Sequence, residues 1–130
     1  MYNASVRYLN PLRYEASADG GIVTIDLSKE PGAGTTTPLP LLLASLASCV
    51  AVYLERYLTG AKIAFTGFTI DAKSALATDG AASLRDIEVS LSIKGASLDD
   101  RRRKALIDFI RNCPVHNTLE GRPSISMAVV

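Results

Sequence analysis

The chain has 130 residues, 48% of them hydrophobic and 21% charged, and its 14 basic and 13 acidic side chains leave a net charge of +1. That length holds one domain, residues 1–130, with one modest core, and the balance is that of a globular protein. Near-neutrality argues against a nucleic-acid or acidic-membrane partner, each of which needs a concentrated basic surface.

Met1-Tyr-Asn-Ala-Ser-Val-Arg7 has no basic segment followed by an apolar stretch and a small-residue cleavage site, so it reads as the start of a strand and the protein is expected in the cytoplasm. Val6 and Tyr8, then Leu12 and Tyr14, then Val23, Ile25 and Leu27 alternate along extended chain, and Asp19-Gly-Gly21 signals a hairpin. Three short antiparallel strands are predicted. Pro31 to Thr37 reads as a loop, with Thr37 as N-cap of a helix whose first turn accepts Pro38 and Pro40. This helix is predicted to end near Tyr57 or Leu58 at the stop signal Thr59-Gly60, about 30 Å from its start. Its first turns are apolar all round, which predicts an enclosed helix. The run Leu39–Leu54 carries Pro40, Ser45 and Ser48 and falls short of the roughly 20 apolar residues a bilayer crossing needs, so it reads as a core helix and no membrane partner is expected.

Ile63, Phe65, Phe68, Ile70 and Ala72 predict a long strand with a bulge or bend near Gly67. Ile87, Val89, Leu91 and Ile93 alternate with polar residues, and a Thr78-Asp-Gly-Ala81 turn region joins the two as a hairpin. Ser97-Leu-Asp-Asp100 resembles a helix start, followed by Ala105, Leu106, Phe109 and Ile110 at helical spacing and a stop near Asn112, before Pro114. Arg101-Arg-Arg-Lys104 reads as a solvated face. Ser124–Val130, with Ile125, Met127 and Val129 alternating, predicts a last strand. The order is β-β-β-α-β-β-α-β, an α+β domain.

Chemistry concentrates at Cys49, in the middle of the apolar helix, and Cys113, opening Cys-Pro-Val-His116. In a reducing compartment two cysteines are seldom a structural staple, and a redox pair competes with the plainer reading of two small buried hydrophobes. A cation near Cys49 would favour its thiolate, and Arg7, Arg13 and Arg56 are the candidates. Cys113, at a helix exit before a proline, suits a resolving thiol that condenses with a sulfenic acid. His116 with the two sulfurs forms at best a weak metal set, lacking a second paired half, so no metal and no cofactor are expected. A phosphate loop and a Gly-x-Ser-x-Gly elbow are both missing from the sequence.

Thr37-Pro38 followed by Leu41-Leu-Leu-Ala-Ser-Leu-Ala-Ser-Cys49, and Cys113-Pro-Val-His-Asn-Thr-Leu119, resemble the two cysteine segments of the family of osmotically inducible protein C and organic hydroperoxide resistance proteins, OsmC/Ohr. Leu12-Arg13-Tyr14 and Asp19-Gly20 fit as well. The resemblance implies antiparallel sheets around a buried central helix in an intertwined homodimer. It also implies thiol-dependent reduction of organic hydroperoxides, with Cys49 peroxidatic, Cys113 resolving and Arg13 activating, and Arg7 in reserve. The reductant would be a dithiol or lipoyl-type thiol. Where the family's peroxidases carry a glutamate that pairs with the arginine, this chain has Leu39, so Glu15 or Glu55 is expected to orient the guanidinium. The other reading of this departure is the OsmC-like branch, in which the alternative role is non-enzymatic binding of an apolar small molecule at the dimer interface.

Overall fold

Two tight turns build the N-terminal sheet. In the computed structural model, which describes residues 1–130, β1 (Ala4–Asn10), β2 (Arg13–Ala18) and β3 (Gly21–Asp26) form an antiparallel meander. Asp19 (φ 46°) and Gly20 (φ 81°) both adopt the positive φ of a type I′ turn, the twist that suits a two-residue hairpin loop. Pro11-Leu12 makes the other turn, with Leu12 at φ 66° and its carbonyl accepting from Leu27 N–H at 2.9 Å. A short fourth strand, β4 (Thr35–Thr36), pairs parallel to β3 and was not expected. The backbone divides into two compact units, Met1–Leu42 and Leu43–Val130, and this sheet belongs to the first.

Helix α1 (Pro38–Gly60) starts where Pro38 was expected to start it, because a proline at the first helical position loses no hydrogen bond. It takes in Thr59 and ends at Gly60, two residues beyond the expected end. Lys62 takes the left-handed conformation (φ 57°), its N–H bonds to the Thr59 carbonyl, and Ile63 N–H reaches back to the Leu58 carbonyl at 2.9 Å. These are the paired bonds of a Schellman stop, with Lys62 in the usual glycine place and Ile63 and Leu58 joining the same core.

At 23 residues α1 is long and apolar enough to cross a membrane, contrary to the sequence reading. Its packing is nevertheless that of a core helix: Leu46, Val50, Leu54 and Leu58, one per turn, form a stripe buried with Leu106, Ile110 and Cys113. Leu54 and Leu58 are fully buried, which stabilises the fold by about 2 kcal/mol each. The rest of the helix is not enclosed, since Leu39, Leu41, Leu42 and Val52 are 37–46% exposed, so the expected all-round burial is corrected to a single stripe.

In the second unit β5 (Gly67–Lys73) and β8 (Glu88–Lys94) pair antiparallel, with β6 (Leu76–Ala77) and β7 (Ser83–Leu84) forming a separate small ladder between them in sequence. Register places Phe68 opposite Ile93, Ile70 opposite Leu91 and Ala72 opposite Val89, one apolar face against the core. Ile63 and Phe65 lie outside the strand, and no bulge interrupts the β5–β8 register at Gly67. Gly95 closes β8 at φ 78°, where an added Cβ would come within 2.9 Å of the Thr66 backbone nitrogen.

Helix α2 (Asp100–Ile110) is capped by Asp99, whose carboxylate accepts from Arg102 N–H at 2.8 Å. Phe109 packs its ring against both Tyr53 and Tyr57 of α1. Arg101–Lys104 are exposed, as the solvated-face reading expected. Two expectations fail at the C-terminus. Pro114 opens a third helix, α3 (Pro114–Gly121), because the geometry that bars Cys113 from helix also makes Pro114 a favourable first helical residue. Ser124–Val130 forms no strand: alternation supplies a face but not the neighbouring edge that a ladder requires.

Candidate functional site

Cys49 and Cys113 are joined as a disulfide across 64 positions, with Cα atoms 6.0 Å apart. The helical repeat that buries Leu46 and Val50 turns Cys49 partly toward the same core, leaving it accessible in part. Cys113 is wholly buried. It occupies the N-cap of α3, with its carbonyl accepting from Asn117 N–H and its own N–H bonded to the Ile110 carbonyl.

His116 lies in the first turn of α3. Its Nε2 lies 3.5 Å from Glu120 one turn on, while Nδ1 is shut off from solvent and bonded to nothing in the structure. Arg56 lies over the Tyr53 ring at 5.2 Å from its centroid.

Arg13 and Arg7 lie in the N-terminal sheet. Arg7 pairs with Glu15 at 3.2 Å on the exposed side of the β1–β2 ladder. Arg13 pairs with neither Glu15 nor Glu55: its Nε–H donates to Asp26 at 3.0 Å, directly across the β2–β3 register. Nη1–H donates to Asn10 Oδ1 and Nη2–H to Ser28 Oγ. Asp26 and Ser28 line an open depression of ≈ 590 Å³ whose other walls include Leu27, Pro31, Pro38 and Leu39.

Asp26 was missed in the sequence because its place after Ile25 in an alternating strand marks it as an outward polar residue. The findable signal was Asp26-Leu-Ser28, where a carboxylate can bond backbone and hydroxyl two residues on. Both bonds form, and Gly32 N–H adds a third. The Ser28 hydroxyl first, then Ser28 N–H, then Gly32 N–H and Arg13 hold the Asp26 carboxyl well below the usual carboxylate range, against the opposing effect of burial.

The comparisons agree with this architecture. The chain is similar to an OsmC-like protein from Mycoplasma pneumoniae (TM-score 0.81, 25% identity, covering 94% of this chain and 89% of that one). It shares its fold with an organic hydroperoxide resistance protein from Legionella pneumophila (TM-score 0.67, 19% identity, 93% and 90% covered). The organic hydroperoxide resistance protein OhrB of Bacillus subtilis is similarly placed (TM-score 0.68, 19% identity, 94% and 92% covered). No match is found among curated proteins. The family model described as OsmC-like protein matches residues 31–128, a span that takes in α1, the β5–β8 sheet and both cysteines, and the chain belongs to that family.

Proposed function

We propose that this protein is a thiol-dependent peroxidase that reduces organic hydroperoxides in the cytoplasm. The observation that carries the reading is the Cys49–Cys113 pair, which unites two helices far apart in sequence in a family whose members include organic hydroperoxide resistance proteins. The Cys49 thiolate attacks the terminal oxygen of the hydroperoxide. The O–O bond breaks, Cys49 becomes a sulfenic acid, and the alkoxide takes a proton to leave as the alcohol. The Cys113 thiol then displaces the hydroxyl as water, closing the disulfide. A dithiol or lipoyl-type reductant returns both thiols and is itself oxidised to its disulfide, and Cys49, the more accessible sulfur, is the one such a reductant can reach. Arg13 acts by favouring the thiolate and neutralising the departing oxygen.

The apolar surroundings of Cys49 suit fatty or aromatic hydroperoxides over hydrogen peroxide, since an apolar tail gains by leaving water. The working form is a homodimer, which covers the apolar surface that a single chain leaves exposed on α1. Intact-mass measurement of the reduced protein after one equivalent of cumene hydroperoxide tests the chemistry. Loss of two hydrogens is expected, absent in Cys49→Ser and replaced by an oxygen adduct at Cys49 in Cys113→Ser. An unchanged mass would count against peroxidase activity and favour the alternative of an apolar-ligand binder.

A further inference from the structure

His116 Nδ1 is sealed from solvent and has no hydrogen-bond partner, a state in which few polar atoms inside a protein are left. Glu120, one turn on, has its Oε1 3.5 Å from Nε2 and so favours the ring proton on that nitrogen. Nδ1 then carries the lone pair and lacks a donor. Cys113, His116 and Glu120 fall at positions i, i+3 and i+7 along α3, one stripe of the helix. The Cys113 carbonyl accepts from Asn117 N–H at 3.0 Å, which closes the first turn with His116 inside it. An N-cap side chain ordinarily lies against the N–H of the second or third helical residue, and the third here is His116. The Cys113 sulfur makes no such bond and is joined instead to Cys49. Opening the disulfide gives Cys113 an S–H donor in the same turn as the unpartnered acceptor, and the wholly buried Cys113 offers that proton no direct outlet to water. The His116 side chain as a whole is 36% exposed, so a proton received by the ring can pass on to solvent.

We propose that His116 is the general base for Cys113. With the disulfide open, Cys113 Sγ–H donates to His116 Nδ1. As the disulfide closes, Nδ1 takes that proton, the Cys113 sulfur uses the freed electron pair to bond the Cys49 sulfur, and the group carried by Cys49 departs with the electrons of the broken bond. When Cys49 is a sulfenic acid the departing group is hydroxide, which takes the proton back from Nδ1–H and leaves as water. The role rests on Cys49 and Cys113 acting as a redox pair and holds whatever oxidant first modifies Cys49. A histidine that only fills the turn would leave the rate of closure unchanged in a folded protein.

Closure is read on the reduced protein with dithiobis(nitrobenzoate), which needs no hydroperoxide. Cys49, the more accessible sulfur, attacks the reagent and releases one thionitrobenzoate, and Cys113 then displaces a second as the disulfide forms. In His116→Asn the amide oxygen still accepts from the Cys113 thiol but takes no proton. Its second release is expected to slow about 100-fold, the low end for loss of a general base, while the first stays within about twofold of the wild type. Glu120→Gln, at an exposed position, removes only the charge beside Nε2, and its second release is expected to slow about two- to fivefold. Should His116→Asn fail to fold, Glu120→Gln carries the test. A wild type that closes the disulfide in this way but consumes no cumene hydroperoxide would remove the peroxidase reading and leave the role of His116 standing. Equal slowing of both releases in His116→Asn, or a second release at the wild-type rate in either variant, would overturn that role.

Discussion

Asp26 is a buried carboxylate whose two oxygens are held by Ser28, Gly32 and Arg13. Its folded-state carboxyl titrates below the unfolded value of about 3.9, so it contributes stability that is fully present above that pH and lost as pH falls through the folded-state range. The melting temperature of the wild type is therefore expected to drop more steeply below about pH 4 than that of Asp26→Asn, so that the two curves converge in acid. Parallel curves would show that the carboxylate is not held as the hydrogen bonds imply. The cysteines were legible at this scale, because each sits in a sequence context unlike any other in the chain. Asp26 was not, because strand alternation describes which face a residue takes and is silent about a neighbour that reaches back to cover it. The partner of Arg13 was sought among glutamates on its own strand and on α1, whereas the register of β2 and β3 sets Asp26 directly opposite.

Elements were read well where one periodicity ran unbroken, as in β8 and α2, and poorly where an ending had to be chosen, as at the start of β5 and the end of α1. Gly60 looked like the stop signal beyond α1 but is its last helical residue; the left-handed residue is Lys62, which a sequence rule favouring glycine passes over. Pro114 was weighed only as a stop for α2, although the same ring constraint starts α3. The Lys62 position carries a measurable consequence. A residue with a Cβ pays for the left-handed conformation, and glycine does not, so Lys62→Gly is expected to stabilise the fold by about 0.5–1 kcal/mol in urea denaturation. The Schellman bonds of Lys62 and Ile63 are unaffected by the change because both use backbone atoms. Destabilisation by a similar amount would mean that the lysine side chain itself contributes to the helix end.

At the scale of the molecule, the chain leaves more apolar surface open than a soluble monomer ordinarily does. Leu39, Leu41, Leu42 and Val52 on α1, Val6 and Tyr8 on β1, and Ile125, Met127 and Val129 beyond α3 are all exposed. The sequence reading expected α1 to be enclosed, and in one copy only a single stripe of it is buried. A second copy is the occupant proposed for these faces, so light scattering at micromolar concentration is expected to return twice the mass of one chain. Val52→Asp provides the sharper comparison. Val52 is 46% exposed and is not among the residues of the single-chain core, so a charge there costs an isolated subunit little, whereas at a desolvated interface an unpaired carboxylate costs several kcal/mol. The variant is expected to scatter as a monomer and to melt at a lower temperature that no longer depends on protein concentration. A wild-type monomer at the same concentration, or a Val52→Asp dimer of undiminished stability, would place the covering of α1 elsewhere.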